Sequence, residues 1–172
     1  MRRVIAGLLA ATAGALGAAP AAAACRGAAA HPASARLSTV DRATLCLLNA
    51  ERRKRGLAPL KENGELDEAS VGHSRDMVRR KYFEHGDFAA RIKASGYLSG
   101  ATSWGIGENI AWGGGSYATP AAIVQMWMDS PPHKENILSS HFHEIGIGIA
   151  RGTPSAKYDE GATYATDFGA RG

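Results

Sequence analysis

Three short segments of the chain carry side chains able to do chemistry. Tyr82-Phe83-Glu84-His85 offers an imidazole, and Gly107-Glu108-Asn109-Ile110-Ala111-Trp112 offers a carboxylate. Trp127-Met128-Asp129-Ser130-Pro131-Pro132-His133, running on to Asn136-Ile137-Leu138, offers a second imidazole. Together His85, Glu108 and His133 would supply three ligands and leave a fourth position open, which suits a divalent metal such as zinc. Imidazole titrates near neutrality, so such a site would release metal in mild acid. No histidine pair has the spacing of H-E-x-x-H on one helix face. The same three groups could instead form a hydrogen-bonded network that joins remote segments without any turnover.

The other reactive types read more plainly. Ser130 could complete a Ser-His-acid triad with His133 and Glu108, but no G-x-S-x-G elbow is present, and a serine before proline at a helix start is an N-cap. His73 lies on an apolar helical stripe and reads as a satisfied core histidine. Glu144 is a strand-edge charge, with support of His133 as its functional alternative. His141 and His143 flank Phe142 and read as exposed. Trp104, Trp112 and Trp127, with Tyr97 and Tyr117, bracket these segments as core and rim packing. They could edge a groove for an apolar ligand, a glycan or a peptide.

A scaffold has to bring the three segments together. A helix capped by Ser38 or Thr39 and ended by Gly56 buries Val40, Thr44, Leu47 and Leu48. Leu57-Ala58-Pro59-Leu60 is an extended connector. A second helix, about 65–81, turns Leu66, Ala69, His73 and Met77 inward. Asp87 caps a short helix over 88–94, and residues 98–107 read as a Ser-, Gly- and Thr-rich loop. Thr119-Pro120 opens a helix burying Ile123, Val124 and Trp127, and Ser130-Pro131 opens another through Leu138. Residues 144–151 alternate isoleucine with glycine, so they form a strand whose glycine face lets another backbone approach closely. Residues 162–168 and 108–112 are further strands, with 152–161 as a hairpin loop. Helices and antiparallel strands within one domain predict an α+β sandwich.

Residues 1–24 read as a signal peptide. Arg2 and Arg3 precede an Ala- and Leu-rich run, and Ala22 and Ala24 form an A-x-A site. The expected location is therefore extracellular or periplasmic, with no membrane span after cleavage. The mature chain would start at Cys25, with residues 25–37 as an irregular arm. The formal charge falls from +4 to +2 once Arg2 and Arg3 are removed. The cluster Arg52-Arg53-Lys54-Arg55 reads as a helix end, so nucleic-acid binding is excluded. Cys25 and Cys46 are the two cysteines, and in an exported protein they can pair. That bond would close a loop of about twenty residues and contribute roughly 3 kcal/mol. Cys25 as a lipid-anchor site ranks second, because Ala22-Ala23-Ala24 lacks the usual leucine.

In their order and spacing these motifs resemble the CAP superfamily, named for cysteine-rich secretory proteins, antigen 5 and pathogenesis-related proteins. The bacterial secreted, SCP-like, single-domain branch is the nearest. The resemblance also rests on Leu48-Asn49 with Arg52 and Gly56-Leu57, on His73-Ser74-Arg75-Asp76-Met77, on the Ile-Gly strand and on Asp167-Phe168-Gly169. It covers about residues 38–169. It implies a three-layer α-β-α sandwich with a central, mainly antiparallel sheet and a surface cleft. In the animal and plant branch that cleft holds two histidines and two acids. His85 and His133 match the histidines and Glu108 the first acid, while Ser130 stands where the second acid belongs and Asp129 points elsewhere. The expectation is a monomeric extracellular binding module for a lipid, glycan, envelope component or peptide, with no required cofactor. A zinc-type hydrolase using the same cleft and a ligand-free structural envelope protein are the alternatives.

Overall fold

The computed structural model describes residues 24–158 and 160–172, so nearly all of the expected signal peptide lies outside the described residues. In chain order the elements are α1 (Leu37–Arg53), β1 (Lys61–Glu62), α2 (Gly64–Arg80), α3 (Phe88–Ala94), β2 (Trp104–Gly113), α4 (Pro120–Asp129), α5 (Pro131–Leu138), β3 (Glu144–Arg151) and β4 (Ala162–Arg171), with a 3-10 turn at Gly115–Ala118. The sheet order is β1-β3-β4-β2. β4 pairs antiparallel with β3 and, from Trp104↔Arg171 to Gly113↔Ala162, with β2. β1 adds two parallel pairs to β3.

The Ile-Gly alternation of β3 sets the stacking. Ile145, Ile147 and Ile149 are buried in the main core with Leu47, Leu48, Ile123 and Trp127, which belong to the layer of α1 and α4. On the opposite face a Cβ on Gly146 would lie 2.0 Å from the Leu66 carbonyl carbon, and one on Gly148 would lie 2.1 Å from that of Ser70. The missing side chains let α2 lie directly on the sheet, as the pattern predicts. Leu66 and Ala69 then meet Ile92 and Tyr97 beneath α3. Helices cover both faces, giving the three-layer α-β-α sandwich.

The caps explain several boundaries. Asn63 accepts hydrogen bonds from the backbone N–H groups of Glu65 and Leu66, Asp87 from that of Ala90, and Thr119 from that of Ala122. α1 differs from expectation. It begins one residue before Ser38, after Arg36, without a side-chain cap. β2 also starts earlier than predicted, at Trp104, because pairing with β4 overrides the glycine- and serine-rich composition. Arg52 is not part of a solvated helix end. It is 1% exposed, and its guanidinium donates to the carbonyls of Ala58, Ile137, Ser139 and Phe142 at 2.7–3.1 Å.

Cys25 and Cys46 are joined by a disulfide, which leaves Cys25 no thiol for a lipid anchor. Among the described residues no helix is long and apolar enough to cross a membrane.

Candidate functional site

Successive side chains on a strand point to opposite faces, and β2 uses this to serve two helical layers. Gly107 leaves room for the α5 side, since a Cβ there would meet Asn136 Oδ1 at 2.9 Å and the Phe142 ring at 3.0 Å. Glu108 points the other way, toward α2 and α3. Asn109 returns to the α5 side, where its Nδ2 donates to the His133 carbonyl at 2.9 Å and its Oδ1 accepts from Asn136 Nδ2 at 2.9 Å. Asn136 Nδ2 also lies 3.2 Å from the outward carbonyl of Glu108. The two asparagines fasten α5, and with it His133, to the sheet edge.

The Glu108 carboxylate is fully buried and three basic side chains surround it. Oε1 accepts from His85 Nδ1 at 2.7 Å, and Oε2 accepts from Arg91 at 2.5 Å. His73 Nε2 lies 3.8 Å from Oε2. Because Nε2 also contacts the Glu84 carbonyl at 3.1 Å, which can only accept, it carries the proton. Burial holds the His73 pKa below its ordinary value, against the pull of Glu108. His73 is thus a satisfied buried histidine and also part of the carboxylate's surroundings. His85, by contrast, keeps 47% of its side chain exposed. With Nδ1–H given to Glu108, Nε2 is the second polar atom of the ring.

His133 reaches this cluster differently. Its Nδ1 lies 2.8 Å from Ser130 Oγ, at the start of α5. The Ser130 hydroxyl makes no cap hydrogen bond to the helix backbone, so the capping role expected of it is replaced by an imidazole contact. Burial and the charge of His85 both lower the His133 pKa, so the two rings share one electrostatic neighbourhood. Glu108 bonds His85 rather than His133, because the pleat of β2 turns the carboxylate away from α5. The Ser130–His133 pair therefore lacks the carboxylate of a triad. Asp129 accepts from Gln125 instead. Glu144, on β3 and two residue rows from Glu108 in the sheet register, has its own partners, accepting from Asn63 Nδ2 at 2.9 Å and Tyr97 Oη at 2.7 Å.

Arg91 was not singled out in the sequence, where it is one basic residue on a short helix. Its place against Glu108 changes the metal argument. Both carboxylate oxygens already accept from cationic or N–H donors, and a guanidinium at 2.5 Å opposes a metal ion. Among the described residues no three His, Cys, Asp or Glu side chains are grouped so as to hold a metal. Glu108 is therefore not placed to act as the third ligand of the metal site expected from the sequence.

One further acid lies beneath the cluster. Asp167, opposite Glu108 in the sheet, is fully buried, and its Oδ2 accepts from Ser70 Oγ at 2.7 Å. Burial first, then the Glu108 charge, pushes its pKa up to about 7.

A disulfide-tied α-β-α sandwich whose edge strand carries a buried carboxylate paired with His85 and Arg91 is a domain of the cysteine-rich secretory type. Residues 45–166 match the cysteine-rich secretory protein (CAP) family, and the chain belongs to it. It is 37% identical to the uncharacterized protein YkwD of Bacillus subtilis over 117 residues, covering 65% of this chain and 43% of that protein. It is 32% identical to the uncharacterized membrane protein YlbC of the same organism, covering 66% and 32%. The chain thus spans less than half the length of these curated relatives. An extracellular SCP-domain protein of Bacillus anthracis superposes with a TM-score of 0.58 at 25% identity, covering 78% of this chain and 43% of that one. An outer surface protein of Borrelia burgdorferi superposes with 0.63 at 17% identity, covering 80% and 97%, a likeness of fold.

Proposed function

We propose that the protein is a secreted binding module that holds an extracellular ligand at the cleft centred on His85, Glu108 and His133. The state of Glu108 carries this reading. A fully buried carboxylate whose oxygens each already accept from a basic side chain is closed off from a substrate proton or a solvent water. What it does instead is fix the tautomer and orientation of the half-exposed His85 ring. The cleft then presents a prepositioned imidazole nitrogen, His85 Nε2, beside the imidazole of His133. Such a pair recognises a hydroxyl or N–H group on a lipid headgroup, a glycan or a peptide. The disulfide suits an oxidising compartment, and the likeness to an extracellular Bacillus anthracis protein points the same way.

The test is native mass spectrometry of the protein purified from its own host, followed by His85→Ala and His133→Ala. The expected result is a retained ligand that both variants lose without losing their fold. Turnover of an ester or peptide substrate by the wild type, abolished in folded His133→Ala, would overturn the binding-only reading.

A further inference from the structure

A second concavity lies between α2 and α3. It encloses about 290 Å³ and is lined by Ala69, Gly72, Tyr82 and Ala94, with Arg91 and Glu68 as polar members. Two features of it are not explained by stability. Gly72 sits in the middle of α2, where glycine costs about 1 kcal/mol relative to alanine. It has an ordinary helical φ, and a Cβ on it would meet nothing within 4 Å. Unlike Gly146 and Gly148, it is not needed for close packing, and the effect of its missing side chain is open space in the pocket wall. The second feature is Arg91 Nε, a buried donor with no acceptor among the described residues. A buried unpaired donor is costly by about 1–3 kcal/mol, and a ligand carrying an acceptor would relieve it.

The charges narrow the chemistry. The Arg91 charge is balanced by Glu108 at 2.5 Å, and Asp76 at the same pocket is occupied by Tyr82 Oη at 2.8 Å and by Arg79 and Arg80. An anion would meet Glu68 and Asp76, and a cation would lie beside the guanidinium. A neutral acceptor remains, together with a donor for Glu68, between small apolar walls and a phenol ring. We propose that this pocket binds a small uncharged molecule built on a secondary amide, whose carbonyl accepts from Arg91 Nε–H and whose N–H or neighbouring hydroxyl donates to Glu68. Its volume, near the lower limit of about 300 Å³ for small-molecule sites, suits one N-acetylated sugar or one blocked amino-acid unit. The pocket shares Arg91 and His73 with the surroundings of Glu108 but is lined by neither His85 nor His133, so loss of binding at those two histidines and loss of binding here are read by different variants.

The experiment is an amide chemical-shift titration of the whole protein with N-acetylglucosamine and, separately, with N-acetylalanine methylamide. Saturable shifts at Gly72, Ala94 and Ser95 are expected with at least one probe, and the probe that binds identifies a glycan or a peptide as the source. Gly72→Leu points into open space and should fold while filling the pocket, and Ala94→Leu fills it from the opposite wall. Each should weaken binding about tenfold or more. No saturable shift with either probe, or shifts that persist in both filled variants, would overturn the proposal.

Discussion

Glu108 and Arg52 are both ionised and both withdrawn from water, and opposite means stabilise them. Glu108 is compensated by charge from Arg91 and N–H donation from His85. Arg52 is compensated by four carbonyl dipoles that tie the end of α1 to the connector, the end of α5 and the approach to β3. Glu108→Gln leaves the Arg91 charge uncompensated. It should cost roughly 3 kcal/mol, the low end for breaking a buried pair, because Arg91 keeps 25% of its side chain in solvent. Arg52→Lys cannot fork to four acceptors and should cost about 3 kcal/mol, from two or more charge-assisted bonds lost. Urea denaturation at neutral pH measures both. Asp167 gives a pH-dependent prediction. Its folded pKa of about 7 lies above the ordinary carboxylate value of 3.8, so the folded state holds a proton that the unfolded chain releases. Its contribution to stability is present below pH 4 and is lost as pH rises to 7. Asp167→Asn should therefore gain stability relative to wild type between pH 4.5 and 7.5, and a difference independent of pH would refute the assignment. His73 acts in the opposite sense, losing stability as pH falls below 6.5, because only the unfolded chain takes up the proton. At this scale the sequence makes His85, Glu108 and His133 legible through their motifs. It does not make Arg91 or the four acceptors of Arg52 legible, because those partners depend on contacts between elements remote in the chain.

At the scale of elements, periodicity carries most of the information. The stripe Leu66, Ala69, His73 and Met77 is buried as spaced, and the Ile-Gly alternation of β3 predicts both its core face and its close contact with a helix. Two strands escape such reading for physical reasons. β1 has two exposed residues and no pattern to detect. The start of β2, Trp104-Gly105-Ile106-Gly107, has loop-like composition and becomes strand through its partner β4. The glycines of β3 and α2 allow a paired test. Gly148→Ala places a methyl 2.1 Å from the Ser70 carbonyl carbon, so α2 must lift from the sheet. The cost should reach or exceed the roughly 3 kcal/mol at the upper end of ordinary overpacking. Gly72→Ala meets nothing and should instead stabilise by about 0.5–1 kcal/mol. Chemical denaturation of both variants reads the contrast, and equal effects would mean that helix-sheet contact does not set the requirement for glycine.

For the whole molecule the open question is what holds the arm before α1 to the domain. The two cysteines make a crosslink legible in the sequence, but not the docking that accompanies it. Ala28 accepts from the Ala121 N–H, His31 Nε2 donates to the Gly115 carbonyl, and Arg151 donates to the carbonyls of Pro32 and Ala35. Cys25 and Ala28 themselves are buried in the main core. The arm is therefore held in the folded state with or without the covalent bond, and the disulfide between residues 21 positions apart acts chiefly by restricting the unfolded chain. Removing both sulfurs in a Cys25→Ser, Cys46→Ser double variant should leave the fold and the contacts of Glu108 with His85 and Arg91 intact. Stability should fall by about 3 kcal/mol, which for a domain of this size lowers the melting temperature by about 6–12 °C. The denaturant m-value should rise, because the freed unfolded chain exposes more surface. An unchanged melting temperature would mean that the unfolded arm is already restricted without the bond. Loss of native amide-shift dispersion would mean that the hydrogen bonds alone cannot seat the arm, and that the domain depends on oxidation to fold.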